Sequence, residues 1–459
     1  MISFNRRRNT LEQETYNYEL QDVSQPNLFR DIFAYDLPPK VPFNHRHVPM
    51  DPPDEIWITD TTFRDGQQSR PPFTVRQIVD IYSMLHRLSG PNGVIRSCEF
   101  FLYSNNHKKA VDACLEKGFR YPEITGWIRA HTEDFKLVKQ MGLHETGILT
   151  SVSDYHIFLK LKKTRREAME SYLDIVRGAL EAGIVPRCHL EDITRADFYG
   201  FVVPFVQELM KLADEAKTPV KVRACDTLGY GVTYPGASMP RSVQGICYGL
   251  VHHAGVPSEW LEWHGHNDFY KVLVNAATAW LYGCAAANGT VLGIGERTGN
   301  TPIESLVFEY MGLRGADNGM QTQVITELAE YFQKECGHEV PPHQPFVGRD
   351  FNVTRAGIHA DGLMKDEEIY NIFNTDALLN RPVAVAIADT SGAAGIAHWI
   401  NSYYGLSPEK RVEKSHPGVV KMLGLIAKEY DNGRTTTISN QEMDAMAMAH
   451  IPEVGRGKG

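Results

Sequence analysis

Two histidines and one aspartate are the residues whose types and spacing point most directly to chemistry. His264 and His266 stand two positions apart in "EWHGHND", and residues two apart on a strand face the same side. Asp65 follows the hydrophobic stretch "IWITDTTF" and could add an oxygen ligand. Three protein ligands leave coordination positions open for substrate, as in catalytic metal sites. The set favours Mn²⁺, Zn²⁺, Co²⁺ or Fe²⁺, with Mg²⁺ a further candidate; the alternative is a strand end with surface histidines.

Arg64 precedes the candidate ligand Asp65 directly. A buried cation beside a metal is suited to stabilising an oxyanion. The alternative is a structural ion pair with Glu99 or Glu296. Other polar residues follow candidate strands and would collect on the same rim: Glu99, Glu191, Asp192, Arg195, Asp226, Thr227, Glu296 and Asn300.

Eight short apolar segments, alternating with amphipathic helix candidates, would position these residues. They cover residues 56–63, 94–103, 123–128, 145–152, 185–193, 220–228, 259–266 and 289–296. Eight even βα units over about 250 residues are typical of a (β/α)8 TIM barrel, in which the active site lies at the carboxyl ends of the strands. The pattern therefore predicts an α/β fold with a closed barrel, and an open doubly wound sheet is the alternative.

The remaining chain is divided by its composition. We expect an N-terminal arm over residues 1–54, the catalytic barrel over 55–312 and a helical linker over 313–349. A smaller, mostly helical C-terminal subdomain should cover 350–432, and a tail 433–459. The Pro-rich arm lacks periodicity and would wrap its own domain or a partner subunit.

Composition excludes several classes of protein. The net charge of −9 argues against nucleic acid as the main partner, since phosphates attract basic surfaces. Seven cysteines without a CxxC pair indicate reduced thiols. The sequence has no apolar run of membrane-spanning length and no secretory or transit leader. These features together predict a cytoplasmic enzyme.

Four motifs in order carry a resemblance to a known family: "DTTFRDGQQ", "HGHND", "GIGERTGN" and "AGIHADGLMK". Over about residues 55–400 the chain resembles the metal-dependent TIM-barrel enzymes that condense acetyl-CoA with a 2-oxo acid. These are the 2-isopropylmalate, homocitrate and citramalate synthases and the Re-type citrate synthases. The resemblance implies that Asp65, His264 and His266 bind a divalent metal, Mn²⁺ first, with Asn300 close by, and that Arg64 polarises the keto group.

The same resemblance implies the proton-transfer residues. His359 matches the catalytic histidine of the family, Tyr370 the tyrosine of homocitrate synthases, and Glu191 their acidic partner. The segment with His359 would reach the barrel of the other protomer in an intertwined homodimer. Four residues are the expected substrate contacts: Arg195, Thr227, His156 and Glu99.

Large aromatic residues after the second strand bear on the substrate. Phe100, Phe101 and Tyr103 would shrink the side-chain pocket, which favours oxaloacetate and therefore citrate formation, as in the Re-type synthases. Homocitrate or 2-isopropylmalate synthase is the alternative. A hydroxyacyl-CoA lyase on the same barrel is the alternative from another class; lyases of the hydroxymethylglutaryl-CoA type carry a cysteine in the glycine loop where this chain has "GIGERTGN".

Overall fold

Eight parallel strands close into a barrel in the computed structural model, which describes residues 2–6, 9–13 and 17–454. A short N-terminal hairpin precedes them, formed by β1 (Ile2–Asn5) and β2 (Thr10–Gln13). The barrel strands are β3 (Trp57–Asp60), β4 (Ile95–Phe101), β5 (Glu123–Ile128), β6 (Glu145–Ser151), β7 (Val185–Glu191), β8 (Lys221–Asp226), β9 (Leu261–Gly265) and β10 (Ala286–Gly289). β10 pairs with both β9 and β3, so closure is complete and the TIM barrel prediction is confirmed.

One α-helix follows each barrel strand. They are α1 (Val75–Ser89), α2 (Asn105–Leu115), α3 (Phe135–Gln140), α4 (Arg165–Glu181), α5 (Val203–Ala216), α6 (Val243–His252), α7 (Val272–Leu281) and α8 (Ile303–Arg314). The local sequence determines where several helices begin. Thr74 and Thr164 form capping boxes that satisfy the first backbone N–H groups of α1 and α4. Among the described residues, no helix is long and apolar enough to cross a membrane.

The eighth strand lies earlier than predicted. The expected strand at 289–296 shares only Gly289 with β10. Residues Val291–Gly293 form a 3₁₀ turn instead, in which Leu292 has a φ of 58°. Hydrophobicity points to "TVLGI", but the small residues of "AANG" fit where β10 is buried. Consequently Glu296 and Asn300 lie on a long loop rather than at a strand end.

The barrel interior carries charges instead of an aliphatic core. Arg187 donates to Glu99 at 2.7 Å and to Glu145 at 2.5 Å. Arg223 donates to Glu99 and Glu262, both at 3.0 Å. Buried ions of this kind need such pairing, because an unpaired charge in the interior is costly. The apolar core lies outside the strands, between them and the helices.

The N-terminal arm packs on its own barrel, one of the two alternatives expected for it. The backbone of Gln21 bonds to Gly200 at 2.9 Å, and the buried Arg165 donates to the Gln21 carbonyl at 3.0 Å. Farther along, Arg241 donates to the carbonyl of Pro39 at 2.8 Å. The arm therefore runs beside the loops that follow β6, β7 and β8.

The chain divides into two compact units, residues 1–324 and 325–459. The second unit is mostly helical. Its elements are α9, which begins at Val324 and ends at Lys334, β11 (Val353–Thr354), α10 (Gly357–Lys365), α11 (Thr375–Leu379), β12 (Ala384–Val385), α12 (Ala393–Tyr403), α13 (Pro417–Asp431) and α14 (Asn440–His450). Its core is built around buried Ile396, Ile400 and Met422.

Candidate active site

Asp65, His264 and His266 converge at the carboxyl end of the barrel. One ligand atom from each lies within 4.8 Å of the other two. Oδ2 of Asp65 is 3.5 Å from Nε2 of His264 and 3.6 Å from Nε2 of His266. All three side chains are buried. Such a nitrogen and oxygen set, with ligand atoms this close, can hold one divalent cation.

Buried polar atoms without hydrogen-bond partners also support a cation site here. Oδ2 of Asp65, Nδ1 of His266 and Oδ1 of Asn300 are buried and have no hydrogen-bond partner among the described residues. Buried polar atoms normally have partners. Three such atoms at one end of the barrel are therefore consistent with a bound cation and its ligands.

Asn288, which sequence reasoning missed, orients the first imidazole. Its Oδ1 lies 2.7 Å from Nδ1 of His264, while its Nδ2 donates to Oγ1 of Thr59 at 2.9 Å. Because the amide nitrogen is held by Thr59, the oxygen faces the imidazole and Nδ1 carries the proton. Nε2 is thus left with its lone pair turned toward Asp65, as a metal ligand requires.

The ionisation states of the cluster suit a metal. Burial lowers the pKa of His264 to about 4, which keeps the imidazole neutral. Burial raises the pKa of Asp65, but the Arg64 guanidinium and then the two histidines outweigh it and bring that pKa to about 2. A carboxylate and two neutral imidazoles are the protonation states that bind metal.

The loop after β10 brings Asn300 beside His266. The two residues form a backbone bridge, and the Asn300 side chain donates to the Ile294 carbonyl at 3.0 Å. A Cβ on Gly295 would lie 2.1 Å from the Asn300 amide nitrogen. The glycine therefore permits a close approach of backbone and side chain, as expected for "GIGERTGN".

Arg64 is held on the face of an aromatic ring next to the cluster. Its guanidinium lies 4.7 Å from the centre of the Trp127 ring and donates to Oδ1 of Asp65 at 2.9 Å. Nε is 3.7 Å from Glu99 but has no hydrogen-bond partner among the residues described. The ion-pair alternative with Glu99 is thus present.

The aromatic residues at the end of β4 do not all face the candidate site. Phe101 packs edge-on against Trp127, with ring centres 5.5 Å apart, and Tyr103 contacts the same ring at 6.4 Å. Phe100 instead packs on Tyr82 of α1. The expectation that Phe100 narrows the pocket is wrong, because its position on β4 faces the helices.

Glu191 forms a second polar cluster at the end of β7. It accepts from the Ser151 hydroxyl, and its Oε2 is 3.2 Å from Nδ1 of His156 and 3.7 Å from Lys160. Burial raises the pKa of Glu191, but the close contact and charge of His156 outweigh it, followed by Ser151 and Lys160, and the pKa falls to about 2. Glu191 is therefore a carboxylate at neutral pH.

The remaining expected substrate contacts already have protein partners. Arg195 binds Asp192 through Nε at 3.0 Å and Nη2 at 2.8 Å. Oγ1 of Thr227 accepts from the Asp192 backbone at 2.8 Å. Glu99 is buried in the ion-pair network below the cluster. Contacts of these three residues with substrate stay predictions.

His359 and Tyr370 lie together in the second unit. Their ring centres are 4.4 Å apart, and Nδ1 of His359 is 3.3 Å from Oγ1 of Thr354. Their proximity accords with a shared role. Glu191 belongs to the first unit, so its action with this pair stays a prediction.

The sequence contains a pattern from which the charged residues of the barrel interior could have been predicted. Charged residues alternate with apolar ones in "VPRCHLE" and "LEWH". Period-two alternation places them all on one face of a strand, here the barrel interior. His189, Arg187 and Glu262 could have been found in this way.

The chain has extensive similarity to known proteins. The model of the HMGL-like family matches residues 55–331. A protein named citrate (Re)-synthase in Syntrophus aciditrophicus (strain SB) is 59% identical over 99% of this chain and 73% of its own length. One of the same name in Clostridium kluyveri is 57% identical over 96% of this chain and 97% of its own. The 2-phosphinomethylmalate synthase of Streptomyces hygroscopicus is 37% identical over 95% and 100%.

Proposed function

Because the chain belongs to the HMGL-like family, we propose that it condenses acetyl-CoA with oxaloacetate to give citrate and CoA, as a citrate (Re)-synthase. The observation that carries this proposal is the 57% identity to a citrate (Re)-synthase along 96% of this chain and 97% of that protein. The enzyme is an acyltransferase whose acyl group becomes an alkyl group on transfer.

The proposed reaction begins with removal of a proton from the methyl group of acetyl-CoA. The resulting enolate carbon forms a bond with the keto carbon of oxaloacetate, whose oxygen takes up a proton. Water then hydrolyses the thioester and releases CoA. A divalent cation held by Asp65, His264 and His266, with Asn300 nearby, would supply Lewis-acid polarisation of the keto oxygen. Mn²⁺ is the first candidate for it.

Side chains of the protein would bind the oxyanion and transfer protons. Arg64 is fixed on the Trp127 ring and beside Asp65, so its guanidinium would bind the developing oxyanion without reorganising. Glu191 is ionised and would act with His359 and Tyr370 in proton transfer, which suits a histidine at neutral pH.

We also propose a homodimer in which the second unit of one protomer completes the barrel of the other. This arrangement would bring His359 and Tyr370 to a site that contains Glu191. A cytoplasmic location is supported by the seven free cysteines, because reduced thiols are typical of that compartment.

Thiol release with acetyl-CoA and a panel of 2-oxo acids tests the function. Release of CoA with oxaloacetate alone is expected. Release with 2-oxoglutarate or 2-oxoisovalerate would instead identify a homocitrate or 2-isopropylmalate synthase, and formation of acetyl-CoA from a hydroxyacyl-CoA would identify a lyase. His264→Ala serves as the control, since it should abolish turnover and keep the circular dichroism of the fold.

A further inference from the structure

A run of basic residues, "KLKKTRR", spans residues 160–166 in a chain of net charge −9. Three of its members have carboxylate partners: Lys160 is 3.7 Å from Glu191, Arg165 is buried against Asp154, and Arg166 pairs with Asp22 of the arm at 3.3 Å. Lys162 and Lys163 have no carboxylate within ion-pair distance among the described residues. Their charges are therefore available to an external anion.

The N-terminal arm brings a further cation to the same place. The backbone N–H of Asn27 donates to Asp154 at 2.6 Å, and Tyr155 donates to the Leu28 carbonyl at 2.8 Å. These bonds fix the exposed Arg30, whose guanidinium carbon lies 5.7 Å from the centre of the Tyr155 ring. Within the described chain, Arg30 also lacks a carboxylate partner.

The cations border a segment that follows a barrel strand at its carboxyl end. Tyr155–Lys160 follow the carboxyl end of β6, which is the catalytic end of a TIM barrel. His156 and Lys160 of this segment contact Glu191. Arg30 lies on Tyr155, next to His156, and Lys162 and Lys163 come just after Lys160. Arg30 therefore contacts the segment whose His156 and Lys160 contact Glu191, and Lys162 and Lys163 follow that segment directly in the chain.

We propose that Arg30, Lys162 and Lys163 bind the phosphate groups of the CoA thioester. This inference rests on the proposed function. In CoA a pantetheine arm separates the reacting thioester from the pyrophosphate and the 3′-phosphate. Phosphate ligands should thus lie outside the reacting pocket, on its rim. Arginine and lysine bind phosphates by charge-assisted hydrogen bonds, and an otherwise acidic chain repels CoA elsewhere.

Direct binding and kinetics test the assignment with two variants, Arg30→Gln and the double variant Lys162→Gln/Lys163→Gln. We expect the Kd of CoA and the KM of acetyl-CoA to rise roughly three- to tenfold in each. Binding of pantetheine and the KM of acetylpantetheine, which lack the nucleotide phosphates, should stay at wild-type values. The difference in CoA affinity between variant and wild type should be smaller at high salt, since exposed charges are screened.

Matched controls separate this site from general charge effects. Arg120 is also exposed and lies 5.0 Å over a tyrosine ring, that of Tyr121, but precedes β5 at the opposite end of the barrel. Lys117 is an exposed lysine near it. Arg120→Gln and Lys117→Gln should leave CoA binding unchanged.

Two outcomes would overturn the proposal: unchanged CoA binding in both test variants, or equal losses for CoA and pantetheine. Neither would affect the proposed function, which fails separately if wild-type enzyme releases no CoA with oxaloacetate. CoA binding can be titrated in either case.

Discussion

At the residue scale, one hydrogen bond decides which nitrogen of His264 faces the proposed metal. Nδ1 lies 2.7 Å from Oδ1 of Asn288, and Asn288 is fully buried. A neutral imidazole has one donor and one acceptor nitrogen. With Nδ1 as the donor, the ligand atom is Nε2, 3.5 Å from Asp65.

Asn288→Ala should therefore weaken metal binding while the barrel persists. Loss of such an orienting partner typically reduces metal affinity roughly 10–100-fold, measured here by competing Mn²⁺ against a chelating indicator. Asn288→Asp keeps an acceptor facing Nδ1 and should retain affinity. Asn275→Ala is the matched control, because Asn275 is equally buried but bonds to Asp226 and Gly231 instead. Unchanged affinity in Asn288→Ala would refute the orienting role.

A pH profile tests the contact of His156 with Glu191. His156 makes the largest contribution that lowers the pKa of Glu191 to about 2, against the effect of burial. In His156→Gln that pKa should rise, so kcat/KM should fall at a higher pH than in wild type when the solution is acidified. His131→Gln, an exposed histidine on the loop after β5, should keep the wild-type profile. Superimposable profiles would mean that Glu191 is not the group that titrates.

At the scale of elements, the barrel strands support the site with a buried layer of charges. Glu99 accepts from both Arg187 and Arg223, and His189 lies 3.4 Å from the same carboxylate. This layer lies below Arg64, which is 3.7 Å from Glu99. Paired ions in the interior are rigid because leaving any one of them alone is costly.

The stability of the barrel should depend on pH through His189. Burial is the main cause that lowers its pKa from 6.5 to about 3. Between these values the unfolded chain binds a proton that the folded chain cannot, so the free energy of unfolding falls as pH falls from about 6.5 towards 3. His189→Gln should reduce this slope by up to about 1.4 kcal/mol per pH unit, measured by urea denaturation across that range. Exposed His131→Gln should keep the wild-type slope; equal slopes in all three proteins would contradict the assignment.

Seven of the eight barrel strands lie where the sequence predicts them, and β10 does not. Apolar runs such as "GILTSV" identify a buried strand by composition. "AANG" in β10 lacks this signal, since its place in the sheet comes from pairing with β3 and β9. The proximity of His264 and His266 could be predicted because the HxH spacing is local. The contacts of Asn288 with His264 and of His156 with Glu191 join different strands or loops and depend on their register.

At the scale of the whole molecule, the proposed chemistry draws on both compact units. The cluster of Asp65, His264 and His266 belongs to the first, and the His359–Tyr370 pair belongs to the second. A proton-transfer residue must come within hydrogen-bond reach of its substrate. The proposed homodimer meets this requirement if the second unit of each protomer serves the barrel of its partner.

Complementation between inactive variants tests that arrangement. His264→Ala inactivates the barrel and His359→Ala inactivates the second unit, so each homodimer alone should be inactive. A mixed dimer with one chain of each variant can be purified through two different tags. If the units act across the dimer, it keeps one of its two sites intact and should show roughly half of the wild-type turnover. A mixed dimer of His264→Ala and His266→Ala has no intact barrel and should remain inactive. If the first mixed dimer is also inactive although it forms, each chain must use its own His359, and the proposal of crossed subunits fails.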